Sequence, residues 1–419
     1  VSIRGRRLID AAANSSAIDL AALFDPRSVA IVGASDDTRR LGGGTVLSFL
    51  IQHGYRGEIF PINPKYETLS GRRCYRSLAE IEQPIDLAVF VVPAKHLIDA
   101  IKDVAPNRVK VALILTSGFG ELNEEGAALE RELTAAARAR NIAIVGPNSV
   151  GAVNLTNGLV PTISQFFDRR DLPTGPLALV SQSGAFGTAV LAQAEREGLS
   201  FNYFISSGNE VDLEFADFGR YLLGRDDVRV LCGYLESIRN GTGFADFARR
   251  ATIAGKPIIV LKVGTTQTGA AAARSHTGAL VGSDAVAQAF FDALNIVRAG
   301  DGDNLLDLLR VFERTPESRG RRLAILSHSG GAGVMAADAA VQEGADVALL
   351  PETLRQRLAA ILPKFASLHN PLDMTGGASL DGKLMAACLR EVLSDDAFDA
   401  ALLCVNLIWR EGEILMREL

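Results

Sequence analysis

"VAIVGASDDTRRLGGGTVLSFL", Val29–Leu50, decides the fold. An apolar run ends at Gly33, a polar turn containing Ala34 and Ser35 follows, and Gly42 to Gly44 open a second apolar stretch. A short continuous apolar run bounded by glycine reads as a strand buried on both faces, and the spacing after Gly44 reads as a helix. Glycine lets the backbone come close to a phosphate, and the first N–H groups of a helix have no partner inside it. The stretch is therefore a strand, turn and helix able to hold an anion.

The same alternation continues outward in "GEIFPIN", "DLAVFVVP", "VKVALILTSGF" and "NIAIVGPNSVGAVN", with helix-length segments between them. Such a series predicts a doubly wound parallel sheet whose ligand lies at the carboxyl ends of the strands. The turn departs from G-x-G-x-x-G, and the second strand ends in Asn63-Pro64-Lys65 rather than in an acid. An acid there would take the ribose hydroxyls of NAD, whereas Lys65 suits an additional phosphate, as on NADP or coenzyme A.

A second series follows in "PLALVSQSGA", "FNYFISSGNE", "VRVLCGYLES" and "KPIIVLKVG", and a third runs from "RLAILSHSGG" to "ALLCVNLIW". Charged, proline-interrupted linkers separate them at "DRRDLPTGP" and "ERTPESRGRR". The second and third series are copies of one unit. "LVSQSGAFGTAVLAQAEREGLS" and "ILSHSGGAGVMAADAAVQEGAD" place Ser181 against Ser327 and Glu197-Gly198 against Glu343-Gly344 at one and the same offset. The expected organisation is an N-terminal extension over 1–21, a Rossmann-like domain over 22–154, and two flavodoxin-like subdomains over 155–315 and 316–419. The last has few strands and is expected to be incomplete.

The 419 residues are 48% hydrophobic and 6% aromatic, with 40 glycines and a formal charge of −6. This is an α/β composition, and the negative balance argues against nucleic acid or an anionic membrane as partner. The four cysteines are scattered without a C-x-x-C pair, which suggests neither a disulfide framework nor a zinc site and fits a reducing cytoplasm. No apolar segment approaches the roughly 18–20 residues that span a bilayer.

Three further stretches can carry chemistry. In "ARSHTGAL" a lone His276 sits in a run of small residues; it is either a solvated loop histidine or a nucleophile on a moving loop. Ser181, Gln182, Ser183 and Gly184 form a strand-to-helix turn that either caps a helix or holds a phosphoryl group. Glu236 lies just past an apolar strand, where a carboxylate can fix the tautomer of a histidine.

In order along the chain, "VAIVGAS", "INPK", "VVP", "TSGF", "GPNSVGAVN", "SQSGA", "SSGNEVDLEFADF", "YLES", "ARSHTGAL" and "SHSGGAG…HNPLDMTGG" resemble the NDP-forming acyl-CoA synthetases, the superfamily of succinyl-CoA synthetase. The resemblance covers the chain from about Ala22 to its end. It implies a ligase that joins a carboxylic acid to CoA at the expense of ATP or GTP, through a phosphohistidine and an acyl phosphate. His276 would be the phosphorylated residue and Glu236 the acid beside it, with residues 181–184 receiving the phosphate. CoA would contact Gly33, Ala34, Ser35, Gly42, Gly43, Asn63, Lys65, Val92, Pro93, Thr116, Ser117, Gly118, Phe119 and Asn148. His328 is the rival histidine, but Gln182 stands at its place in the first copy.

The family's ATP-grasp domain, which would bring the nucleotide and Mg²⁺, has no counterpart in these motifs. It is expected from a beta subunit or, preferably, from a longer polypeptide, within an oligomer. Two other classes stay open on the residues alone: a CoA-sensing regulatory module related to protein acetyltransferases, and an NADP-dependent oxidoreductase.

Overall fold

The computed structural model describes residues 19–271, 283–315, 320–406 and 412–418. They divide after Arg314 into two compact units. The first begins with β1 (Ser28–Val32), α1 (Gly43–Gln52), β2 (Glu58–Ile62), β3 (Ile85–Phe90), α2 (Ala94–Lys102), β4 (Val109–Ile114), α3 (Glu124–Arg138) and β5 (Ala143–Val145). The five strands are parallel in the order β2-β1-β3-β4-β5. Every residue of β1 and β3 is buried, which is why both are apolar apart from Ser28 and Asp86, which are hydrogen-bonded: Asp86 N donates to Ser28 Oγ at 3.0 Å and Asp86 Oδ2 accepts from Arg27 N at 2.8 Å. The order reverses beside β1, between β1 and β3, and the carboxyl ends there form the crevice that a ligand of such a sheet occupies.

The second sheet of this unit contains β6 (Ala152–Asn154), β7 (Leu177–Ser181), β8 (Phe201–Ser206), β9 (Val230–Leu235), β10 (Ile258–Lys262) and β11 (Val297–Ala299). Its order is β11-β10-β9-β7-β8-β6, parallel throughout except for the antiparallel edge strand β6. The helices are α4 (Gly184–Arg196), α5 (Phe215–Leu223), α6 (Gly241–Ile253), α7 (Asp284–Ala293) and α8 (Gly302–Arg314). Counted from β7, the parallel strands follow the flavodoxin order 2-1-3-4-5, with the switch point between β7 and β9.

The two sheets share a core. One cluster of buried side chains runs from Val29, Ile31, Leu87 and Val89 of the first sheet to Ala178, Val180, Ile205 and Leu231 of the second. Phe24 joins it, its ring stacked on Tyr221 at 4.8 Å and edge-on to Tyr203 at 5.7 Å.

The second unit contains β12 (Leu323–Ser327), α9 (Gly330–Gln342), α10 (Glu352–Ile361), β13 (Ser367–Leu368), β14 (Leu372–Asp373), α11 (Gly382–Leu393), β15 (Ala400–Cys404) and α12 (Gly412–Glu418). Its sheet order is β13-β14-β12-β15, with β14 and β15 parallel to β12 on either side. This repeats β8-β7-β9 of the first unit. The resemblance extends to atoms: Ser181 Oγ donates to Ser183 O at 2.6 Å, and Ser327 Oγ donates to Ser329 O at 2.8 Å. Among the described residues no helix is long and apolar enough to cross a membrane.

Candidate active site

At the switch point of the first sheet the chain turns at Gly33, whose φ of 95° favours glycine. The N–H groups of Gly33 and Ala34 both donate to Ile62 O, at 2.9 and 3.2 Å. Asn63 ties the two loops together: its Nδ2 donates to Ala34 O at 2.8 Å, and its Oδ1 accepts from Lys65 N at 3.1 Å. A Cβ on Gly43 would lie 2.1 Å from Gly33 O, and one on Gly44 2.2 Å from Asp37 O, whereas Gly42 has open space. Two of the three glycines therefore seat α1 against the β1 turn.

Val92 and Pro93 lead from β3 into α2, and Val92 O accepts from Thr116 Oγ1 at 2.7 Å. Thr116 O in turn accepts from Asn148 N at 2.9 Å. Ser117 is exposed and Phe119 fully buried. Gly118 N and Phe119 N donate to Glu121 Oε1 at 2.5 and 3.1 Å. Burial raises the Glu121 carboxyl, and donors led by Asn209 more than offset it, leaving it below its ordinary value.

The residues predicted to meet CoA are thus gathered along the carboxyl ends of β1 to β5. The structure adds basic groups that the sequence reading passed over. A cavity of about 310 Å³ is lined by Ser35, Gly44, Ser48, Ser70, Arg72 and Arg170. Another, of about 510 Å³, brings Arg73 and Arg76 to Lys65. The signal for Arg72, Arg73 and Arg76 was "GRRCYR" shortly after the Lys65 turn, whereas Arg170 lies in "DRRDLPTGP".

The second switch point is built by β7 and β9. Ser181 is buried at the end of β7, and Ser183 caps α4 by accepting from Phe186 N at 3.3 Å. Gly184 begins the helix beneath Val150, where a Cβ would meet Val150 Cγ1 at 2.4 Å. Gln182 is committed within the protein. Its Oε1 accepts from Glu236 N at 2.6 Å and Ser237 N at 3.0 Å, and its Nε2 donates to Ser237 O and Glu210 Oε2, both at 2.8 Å. Glu236, buried, stands just past β9 on this bracket.

Glu210 was not predicted. It is buried, with a φ of 51°, and Ser207 Oγ donates to its Oε1 at 2.7 Å. Burial pushes its carboxyl up to about 7, and the hydrogen bonds from Ser207 and Gln182 hold it from rising further. Lys262, in register with Leu235 at the end of β10, is also buried, which lowers its pKa; its Nζ donates to Val263 O at 2.5 Å. Residues 263–271 follow β10 from this carboxyl edge. His276 itself lies outside the described residues. In the second unit His328 is buried and its Nε2 accepts from Asn406 N at 3.0 Å, so the rival ring is engaged in holding the backbone after β15. Among the described residues no group of three or more His, Cys, Asp or Glu side chains is arranged to hold a metal ion.

Three family models match the chain: a CoA binding domain over residues 27–154, a succinyl-CoA ligase-like flavodoxin domain over 174–312, and a ligase-CoA domain over 323–408. An acetate–CoA ligase [ADP-forming] I subunit alpha of Pyrococcus furiosus is 38% identical over 410 residues, covering 96% of this chain and 87% of that one. The acetate–CoA ligase [ADP-forming] I of Archaeoglobus fulgidus is 37% identical over 360 residues, covering 86% of this chain and 51% of that one. The solved dinucleotide forming acetyl-coenzyme A synthetase 1 of Ca. Korarchaeum cryptofilum, in complex with phosphate and ADP, superposes with a TM-score of 0.85 at 33% identity, covering 93% of this chain and 83% of that one. A CoA-binding crevice, a buried acid at the second switch point and identity sustained over nearly the whole chain together show that it belongs to the NDP-forming acyl-CoA synthetases.

Proposed function

We propose that this chain supplies the CoA site and the phosphoryl-carrying histidine of an acid–CoA ligase, and that an ATP-grasp domain supplies the nucleotide site. The observation that carries the reading is convergence: the α4 start, buried Glu236 and the origin of the His276 segment all lie on the carboxyl edge of the second sheet. The same compact unit holds the CoA crevice. The similarities favour neither the oxidoreductase nor the sensing module.

An imidazole nitrogen of His276 attacks the γ-phosphorus of ATP or GTP, and the nucleoside diphosphate leaves. Glu236 accepts the N–H of the other ring nitrogen and steadies the cationic phosphoimidazole. Free N–H groups at the start of α4 receive the phosphoryl oxygens, a role that a helix N-terminus performs by partial charge. A carboxylate oxygen of the acid then takes the phosphoryl group, giving an acyl phosphate. The CoA thiol, as thiolate, attacks its carbonyl carbon and phosphate departs. Arg72, Arg170 and Lys65 offset the phosphate charge of CoA. Positioning and charge neutralisation are the main requirements.

Among the described residues no set of side chains is arranged to hold Mg²⁺, and the ion would be held with the nucleotide by the ATP-grasp part. That part is a second subunit, as the name of the Pyrococcus relative suggests, or the remainder of a longer chain, as in the Archaeoglobus relative. Four free cysteines suit a reducing cytoplasm. With γ-labelled ATP and the ATP-grasp partner, the unaltered chain is expected to gain an acid-labile label that His276→Ala does not gain; equal labelling of the two would sink the histidine assignment.

A further inference from the structure

Gln182 holds the backbone of Glu236 and Ser237, so whatever orients Gln182 also sets the position of the acid. A terminal amide can be turned over, exchanging its accepting oxygen for its donating nitrogen. Ser237 favours the orientation seen, its N–H meeting Oε1 at 3.0 Å and its carbonyl meeting Nε2 at 2.8 Å. The Glu236 N–H needs the oxygen. On the other side stands Glu210, whose carboxylate, once ionised above about pH 7, can only accept and therefore takes the second N–H of that nitrogen.

Several features mark Glu210 as held for a purpose. It lies on the loop after β8, in the left-handed region that a non-glycine residue rarely adopts. Its second oxygen is fixed by Ser207, whose own N–H donates to Ser181 O at 2.9 Å. The preceding residue, Asn209, reaches the first sheet, its Nδ2 donating to Glu121 Oε2 at 2.6 Å and Glu130 Oε2 at 3.0 Å. Residues 209 and 210 thus lie between the Gly118–Glu121 loop and the Gln182 bracket.

We propose that Glu210 is a positioning residue for phosphoryl transfer: its carboxylate takes the second N–H of Gln182 and anchors the amide, and Gln182 in turn holds Glu236 in place beside the phosphohistidine. The inference rests on the assignment of His276 and Glu236 given above. Glu210 forms no bond to the reacting groups; it acts through the amide.

The test is single-turnover phosphohistidine formation from γ-labelled ATP in the assembled ligase, with the Michaelis constant for CoA measured alongside. E210Q keeps the shape but replaces the charged acceptor with an amide that can also turn its nitrogen toward Gln182, and at about pH 8 is expected to slow labelling about tenfold per folded molecule while the CoA constant stays within about twofold. E210D keeps a carboxylate and should recover most of the loss. Q182A should be as slow as E210Q, and the double variant no slower than either, because the two residues act as one device. The proposal is overturned if E210Q labels within about twofold of the unaltered enzyme, or if the losses of E210Q and Q182A multiply. Should E210Q fail to fold, E210D and Q182A decide: a slow Q182A beside a fast E210D supports the bracket, and a fast Q182A overturns it. H276A separates the two readings. If it labels like the unaltered enzyme, both fall; if it stays unlabelled while E210Q labels normally, only the role of Glu210 falls.

Discussion

Glu210 also has a signature in stability. Burial, with a smaller push from Glu214, raises its carboxyl from 4.5 to about 7 against the opposing pull of Ser207, Gln182 and Arg239. Between those two values the folded chain holds a proton that the unfolded chain has lost, so this group's contribution to stability falls as pH rises through that window. E210Q lacks this decline. Its melting temperature relative to the unaltered chain should climb from pH 4.5 to about 7, by the equivalent of about 3 kcal/mol at the upper end. Melts over a pH series check this, and a constant difference would contradict a buried, titrating acid. His276 and Glu236 could be singled out from the sequence because one stands in a run of small residues and the other directly follows an apolar strand. Glu210 could not be, since "SSGNE" reads as a polar loop and only the folded chain closes Ser207 and Gln182 over the carboxylate.

Among the elements, the β1 turn and α1 show where sequence reading stopped short. Glycines there promise close approach to a ligand, but Gly43 and Gly44 are needed for approach to the protein's own backbone, at Gly33 O and Asp37 O. That distinction depends on how the helix is laid across the turn, which no local pattern states. Gly43→Ala would drive a methyl group against a carbonyl that cannot move aside, and is expected to destabilise the chain by about 1–3 kcal/mol and to weaken CoA binding with it. Gly42→Ala, with open space around it, should leave the melting temperature nearly unchanged. Denaturant titration of the two variants tests the contrast, and equal losses would refute the packing role. The strands themselves were easily legible, because parallel strands covered on both faces are apolar at nearly every position. So was the repeat, whose matching Ser-x-Ser-Gly turns return with the same Oγ-to-carbonyl hydrogen bond.

For the whole molecule, CoA should bind this chain without nucleotide. Ligand at about a hundred times its dissociation constant adds roughly 2.7 kcal/mol, enough to raise the melting temperature visibly, while ATP alone should give no comparable shift. Because one apolar cluster spans both sheets of the first unit, the gain should reach the second sheet as well. Hydrogen exchange is expected to slow at the amides of β7 to β10 together with those of β1 to β5; slowing confined to the first sheet would show that the two open separately. The linker at 168–176 resembles a domain boundary in sequence, charged and broken by proline, and nothing in it reveals that β6 of the second sheet already precedes it or that the two sheets are fused through Phe24, Tyr203 and Tyr221. The fusion has a genetic consequence. A chain interrupted in that linker would leave two pieces, each with a raw oily wall where the other had been. Such pieces are prone to aggregate and to be degraded before they find each other, so the CoA crevice and the phosphoryl-transfer edge are inherited as one object.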